Sequence, residues 1–123
     1  MGDRGHIVVE QYGDNDPVVL YAHWRASELP AILATALSHQ ERWDDPGYLA
    51  RIIFDELTDH AGDFTGAGIG TEIHGDVWRV IRVDPNNKEV IFEDPNDYDR
   101  DEYSGNKYSF ERFVDIFAEQ IDA

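Results

Sequence analysis

The chain opens on a run of β-branched and aromatic positions, His6-Ile7-Val8-Val9-Glu10-Gln11-Tyr12. That composition predicts a strand. Gly13-Asp14-Asn15-Asp16-Pro17 breaks it with turn-forming residues, and Val18-Val19-Leu20-Tyr21-Ala22-His23-Trp24 resumes it. The two runs predict an antiparallel hairpin. Side chains alternate across a strand, so Val19, Tyr21 and His23 share one face and Leu20, Ala22 and Trp24 the other.

The period then changes. Leu29, Ile32, Leu33, Ala36 and Leu37 fall on one helical stripe. Ser27 is placed to cap that helix, and Pro30 is tolerated in its first turn, where no intrahelical amide is yet needed. A polar connector runs from His39 to Trp43. Asp45 before Pro46 signals a second start, and Tyr48, Leu49, Ile52, Ile53 and Leu57 continue it to about His60.

A glycine-rich passage follows, with Gly66, Gly68 and Gly70 in alternation. Glycine there allows positive φ or a close backbone approach. Ile69, Thr71 and Ile73 alternate as a third strand. Val77 to Val83 predicts a fourth, Asp84-Pro85-Asn86-Asn87 a turn, and Glu89 to Glu93 a fifth, the last three forming a meander. Asp94 to Lys107 is acidic and aperiodic and reads as an exposed loop. Ser109 then caps a last helix with Phe110, Phe113, Val114, Phe117 and Ile121 on one stripe. The order β-β-α-α-β-β-β-α predicts one α+β domain over residues 1–123, a largely antiparallel five-stranded sheet with three helices on one face.

Charge changes the functional picture. Twenty-six acids against ten bases give −16 over 123 residues. The phosphates of a nucleic acid would be repelled, so direct nucleic-acid binding is disfavoured. The acidity is compatible with a solvated surface, with a high-salt cytoplasm, or with imitation of DNA against a basic protein. There is no cysteine, which excludes disulfides, thiolate metal sites and cysteine nucleophiles. No apolar run reaches the roughly 20 residues that span a bilayer. The start Met1-Gly2-Asp3-Arg4 lacks a signal-peptide core, so a cytoplasmic protein is expected, with no membrane partner.

Recognition-grade side chains concentrate at one element boundary. His23, Trp24 and Arg25 lie between the second strand and the first helix. An indole stacks on a base, a guanidinium clamps a phosphate, an imidazole titrates near neutrality, and exposed amides at a helix start attract anions. Arg4, just before the first strand, is placed to reach the same end of the sheet. Arg51 and Trp78 are second choices. The plainer readings are a core Trp24, a His23 bonded to backbone, and an Arg4 balancing Asp3.

Other motifs carry less. Gly66 to Gly70 lies after a helix and before a strand, the reverse of a dinucleotide loop. The five histidines lack His-Glu-x-x-His spacing, so no metal is assigned. Asp97-x-Asp99-x-Asp101 fails as a calcium loop, because Glu102 and Tyr108 occupy the positions that need glycine and glutamate. No nucleophile elbow is present, and no catalytic residue or cofactor is implied.

The blocks Met1-Gly2-Asp3-Arg4 with Ile7-Val8-Val9, Leu20-Tyr21-Ala22-His23-Trp24, Ser27-Glu28-Leu29-Pro30, Arg42-Trp43 and Tyr48-Leu49-Ala50-Arg51-Ile52 resemble a family of small uncharacterised proteins of bacteriophages and prophages. They cover roughly the first two-thirds of the chain. The resemblance implies a phage accessory role in the host cytoplasm, including interference with host defence.

Three functions follow in order. The first is a non-enzymatic binding protein that sequesters a phosphorylated, nucleotide-like small molecule through Arg4, His23, Trp24 and Arg25. The second is an acidic inhibitor that imitates DNA and engages a basic host protein through Asp94 to Glu102. The third is a small nucleotide-modifying enzyme using His23. A homodimer, in which two chains complete one ligand site, is compatible with the small size.

Overall fold

The computed structural model describes residues 4–13, 15–23, 26–61, 67–71, 77–93 and 102–118. Six strands form one mixed sheet: β1 (Gly5–Val9), β2 (Val18–Ala22), β3 (Ala67–Gly70), β4 (Arg79–Asp84), β5 (Glu89–Glu93) and β6 (Lys107–Ser109). A 3-10 turn at Ala26–Glu28 leads into α1 (Leu29–Ser38), followed by α2 (Pro46–Ala61) and, after β6, α3 (Phe110–Phe117). Spatial order is β3-β2-β1-β4-β5-β6. The α+β class and the three helices are as the sequence predicts.

Two expectations are corrected. The sheet has six strands rather than five, because Lys107–Ser109 pairs with β5. A three-residue strand is too short to show alternation. The sheet is also mixed, since β1 lies parallel to β4, with Gly5 beside Arg79 and Val9 beside Val83. The meander is therefore β4-β5-β6, while β3 leaves it to pair with β2 at the far edge.

The centre of the sheet is buried on both faces. Every residue of β1 is buried. Ile7 and Val9 join Leu20, Ile81, Val83, Val90 and Phe92 under the helices. Val8, Val19, Val77 and Val80 form a second cluster on the other face, with Tyr21 against it. Central strands with both faces covered read as unbroken apolar runs, and Ile7-Val8-Val9 is one.

Helix α1 is buried nearly all round, from Leu29 to Leu37. It lies under the sheet and against both α2 and α3. Its start differs from expectation. Ser27 is exposed in the 3-10 turn and Glu28 holds the cap position, with no side-chain cap bond. Asp45 begins α2 as expected, its carboxylate 3.5 Å from the Tyr48 amide and its carbonyl accepting from Leu49 at 2.8 Å.

Ser109 caps α3, its hydroxyl accepting from the Arg112 amide at 3.1 Å. Ser109→Ala should cost about 1 kcal/mol, lowering the melting temperature by a few degrees, whereas Ser109→Asp should restore it. Equal melting of all three proteins would show that the cap contributes nothing. Phe110, Phe113 and Phe117 are buried as the stripe predicts; Ile121 lies outside the described residues.

Gly68 and Gly70 show neither positive φ nor a close neighbour. They extend an edge strand in which Ile69 is 63% exposed. Gly66, Ile73 and most of the acidic loop, residues 94–101, lie outside the described residues. Tyr103, at the loop's end, is half-buried rather than exposed, its ring 5.0 Å from Phe92 and 5.3 Å from Phe117. Among the described residues no helix is long and apolar enough to cross a membrane.

Candidate functional site

Strand register gathers three of the six candidates. Gly5 faces Ala22 on β2 and Arg79 on β4. The next step outward puts Arg4, His23 and Trp78 at adjacent strand ends. The Trp78 amide donates to the Arg4 carbonyl at 3.1 Å, which carries the parallel pairing one residue further. All three side chains are partly exposed.

Tyr21 supports His23 from behind. The Tyr21 hydroxyl lies 3.1 Å from His23 Nδ1, and both side chains are on the face opposite the helices. His6 continues the group inward, its ring 5.3 Å from that of Tyr21. His6 is buried, with Nδ1 3.2 Å from the Leu20 carbonyl. A carbonyl only accepts, so Nδ1 carries a proton. The alternation read in the sequence for Val19, Tyr21 and His23 thus holds.

Arg79 is the residue that the sequence reading missed. It is 3% exposed and lies on the helix side of the sheet. Its Nη1 donates to the carbonyls of Ala26 at 2.9 Å and Ser27 at 3.3 Å. Its guanidinium sits 4.4 Å from the Trp78 ring, with Tyr103 and Phe92 further out at 5.6 and 5.9 Å. A planar cation held against aromatic faces is well placed energetically when desolvated. Arg79 therefore fastens the 3-10 turn to the start of β4. The signal was present: Arg79 alternates with Ile81 and Val83, so an arginine stands on an apolar face.

Gly5 lets this end close. A Cβ there would lie 2.9 Å from Ala26 Cβ and 3.0 Å from the Arg79 carbonyl. Trp24 and Arg25 lie outside the described residues, between His23 and Ala26. Arg51 is not brought to this end. It sits on the exposed face of α2, paired with Asp55 at 2.7 Å.

On the face opposite the helices, Arg82 bridges two strands. It binds Glu93 on β5 at 2.8 and 3.0 Å and also pairs with Glu10 after β1. Its pKa is raised above the ordinary arginine value by the bonds to Glu93, against the opposing effect of burial, with Glu10 adding to the rise. Among the described residues no three His, Asp or Glu side chains gather as a metal site. His39 pairs instead with Glu56 at 3.2 Å beside α2.

The strand ends thus bring an arginine, a histidine backed by a phenol and a tryptophan side by side along the backbone; the Trp78 ring packs with Arg79 against the helix-side core, and His23 lies with Tyr21 on the other face. No family model, curated protein or solved structure matches the chain.

Proposed function

We propose that this chain is a non-enzymatic binding protein that captures a phosphorylated, nucleotide-like small molecule at the end of the sheet formed by β1, β2 and β4. The observation carrying this reading is that register sets Arg4, His23 and Trp78 on adjacent strand ends, with Trp24 and Arg25 following His23 in the sequence. Arginine supplies a fork for a phosphate, and the indole supplies a stacking face for a base. Binding without turnover accords with a group that contains donors and a stacking surface. In a phage-type accessory protein, such capture would blunt a host signal.

The test is mass spectrometry of small molecules released by heating purified protein, after incubation with extract from cells whose nucleotide defence signals are active. Release of an intact phosphorylated compound is the expected outcome. Trp78→Leu with Arg4→Ala, and separately Trp24→Ala with Arg25→Ala, should each reduce retention about tenfold or more, since one stacked base contributes roughly 1–3 kcal/mol. Unchanged retention in both folded variants would reject this site. Release of a modified product would favour an enzyme, and retention of a basic protein in place of a small molecule would favour the acidic inhibitor.

A further inference from the structure

The opposite end of the sheet carries a second constellation. The groove there, of about 590 Å³, is lined by Gln40, Arg42, Trp43, Asp44, Asp45 and Lys88. Gln40, Arg42 and Lys88 have φ of 57°, 60° and 52°, and among the described residues no other non-glycine has positive φ. All three line this groove: Gln40 and Arg42 come from the connector between α1 and α2, and Lys88 comes from the turn between β4 and β5. Gln40 follows the α1 cap, its amide bonded to the Leu37 carbonyl at 3.0 Å. Arg42 lies in the connector, its carbonyl accepting from Asp45 at 3.0 Å. Lys88 closes the turn between β4 and β5, tied to α3 through the Phe110 amide at 2.9 Å.

Glycine adopts this conformation without a steric penalty. Other residues pay roughly 1–2 kcal/mol for it. Such strain persists where surrounding structure enforces it, and it concentrates at ligand clamps. Here it keeps three long polar side chains at positions where glycine would be the more stable choice.

Their surroundings are fixed. The Trp43 indole donates to the Leu37 carbonyl at 3.1 Å and meets Phe110 edge-on at 5.2 Å. The Arg42 guanidinium lies over the Tyr48 ring at 4.6 Å. Among the described residues it meets no carboxylate at ion-pair distance, in a chain with 26 acids. A stacked guanidinium still presents its edge for bidentate bonding. Lys88 is paired with Asp44 at 2.7 Å, and Asp44 is 84% exposed. Exposed pairs of this kind are weak and exchange readily. Asp45 is occupied at the start of α2.

We propose that this groove is a second ligand site, for a small molecule bearing an oxyanion, and that the Asp44 carboxylate holds on Lys88 the place the oxyanion takes. Arg42 clamps the anion, Gln40 adds an amide donor, and Lys88 exchanges Asp44 for the ligand. The site is independent of the strand-end reading, because the length of β4 separates the two.

The experiment is a titration of isotope-labelled protein with inorganic pyrophosphate, followed by nuclear magnetic resonance, with sodium chloride at matched ionic strength as control. Saturable shifts of the Trp43 indole, the Gln40 side-chain amide and the Arg42 Nε–H are expected with the oxyanion and not with sodium chloride. Asp44→Asn should tighten binding several-fold, whereas Asp55→Asn, beside Arg51, should not. Arg42→Gly and Lys88→Gly should each weaken binding about tenfold, the loss of one charged hydrogen bond, yet melt at the same or a higher temperature. A merely structural role would move stability without affinity. Citrate tests the source of the anion: saturation by citrate alone supports the site with a carboxylate ligand, and by pyrophosphate alone with a phosphate. Equal shifts with sodium chloride, unchanged affinity in Asp44→Asn, or full affinity in both glycine variants would overturn the proposal. Arg4→Ala should leave every one of these shifts intact.

Discussion

Phe113→Ala is expected to lower stability by about 3–5 kcal/mol, the usual cost of truncating a buried phenylalanine. That is a large part of the roughly 5–15 kcal/mol that holds a domain together. Phe113 is fully buried, with ring centroids 4.6 Å from Phe117, 5.9 Å from Tyr108 and 6.1 Å from Phe92. These rings are the contact between α3 and the outer strands β5 and β6. The alanine variant therefore leaves a cavity and loosens a whole helix. In a thermal melt followed by circular dichroism the midpoint should fall by roughly 10–20 °C. A fall of a degree or two would mean that the aromatic cluster does not pack as described. Phe113→Leu, which refills most of the volume, should recover more than half of the loss.

Gly5→Val is expected to be nearly as damaging, for the opposite reason. The added Cβ would meet Ala26 Cβ at 2.9 Å, with the Arg79 carbonyl and Leu29 Cδ1 each at 3.0 Å. Leu29 can rotate away. The carbonyl belongs to the neighbouring strand and Ala26 to the 3-10 turn, so one of those must shift. Overpacking of this kind costs about 1–3 kcal/mol, and the branched valine adds to it. The displaced turn is the one that Arg79 fastens, so ligand retention at the strand ends should fall with stability. Gly68→Ala is the control, because a methyl group added at that position would meet nothing within 4 Å. It should melt at or slightly above the parent temperature, since alanine suits a strand better than glycine. Equal behaviour of the two variants would remove the close approach at Gly5 from the account.

Particular residues show what the sequence carried. Ile7, Val9, Leu20 and the stripe from Leu29 to Leu37 were legible as core, because burial acts on each side chain through local periodicity. So were Asp45 and Ser109 at helix starts, where a short polar side chain answers a free amide nearby. The hairpin of β1 with β2 was legible, but the second neighbour of β1 was not. Val8 is satisfied by any strand that presents a valine, and alternation says nothing about whether β4 or another strand supplies it. The capping role expected of Ser27 failed for a long-range reason: Arg79, more than fifty residues away, takes the Ala26 and Ser27 carbonyls and draws the entry into a 3-10 turn. At the site, Arg4, His23 and Trp78 were readable as types, and register explains their meeting. Arg51 was chosen for its charge alone, and Asp55 one helical turn on already answers that charge. Gln40, Arg42 and Lys88 had no sequence signal, since left-handed backbone at a non-glycine residue is visible only in three dimensions.

The parallel pairing of β1 with β4 also governs how the chain reaches this structure. It joins residues 5–9 to residues 79–83, so the middle of the sheet closes a loop of roughly seventy residues, and contacts of such separation slow folding. During synthesis the β1–β2 hairpin and α1 emerge well before β4. Ile7, Val9 and the inner side of α1 then wait without Ile81, Phe92 or Phe113 to cover them. Folding is accordingly a late, concerted event that needs the C-terminal third of the chain. A nascent chain halted before β4 is a substrate for chaperones and proteases rather than a stable half-protein.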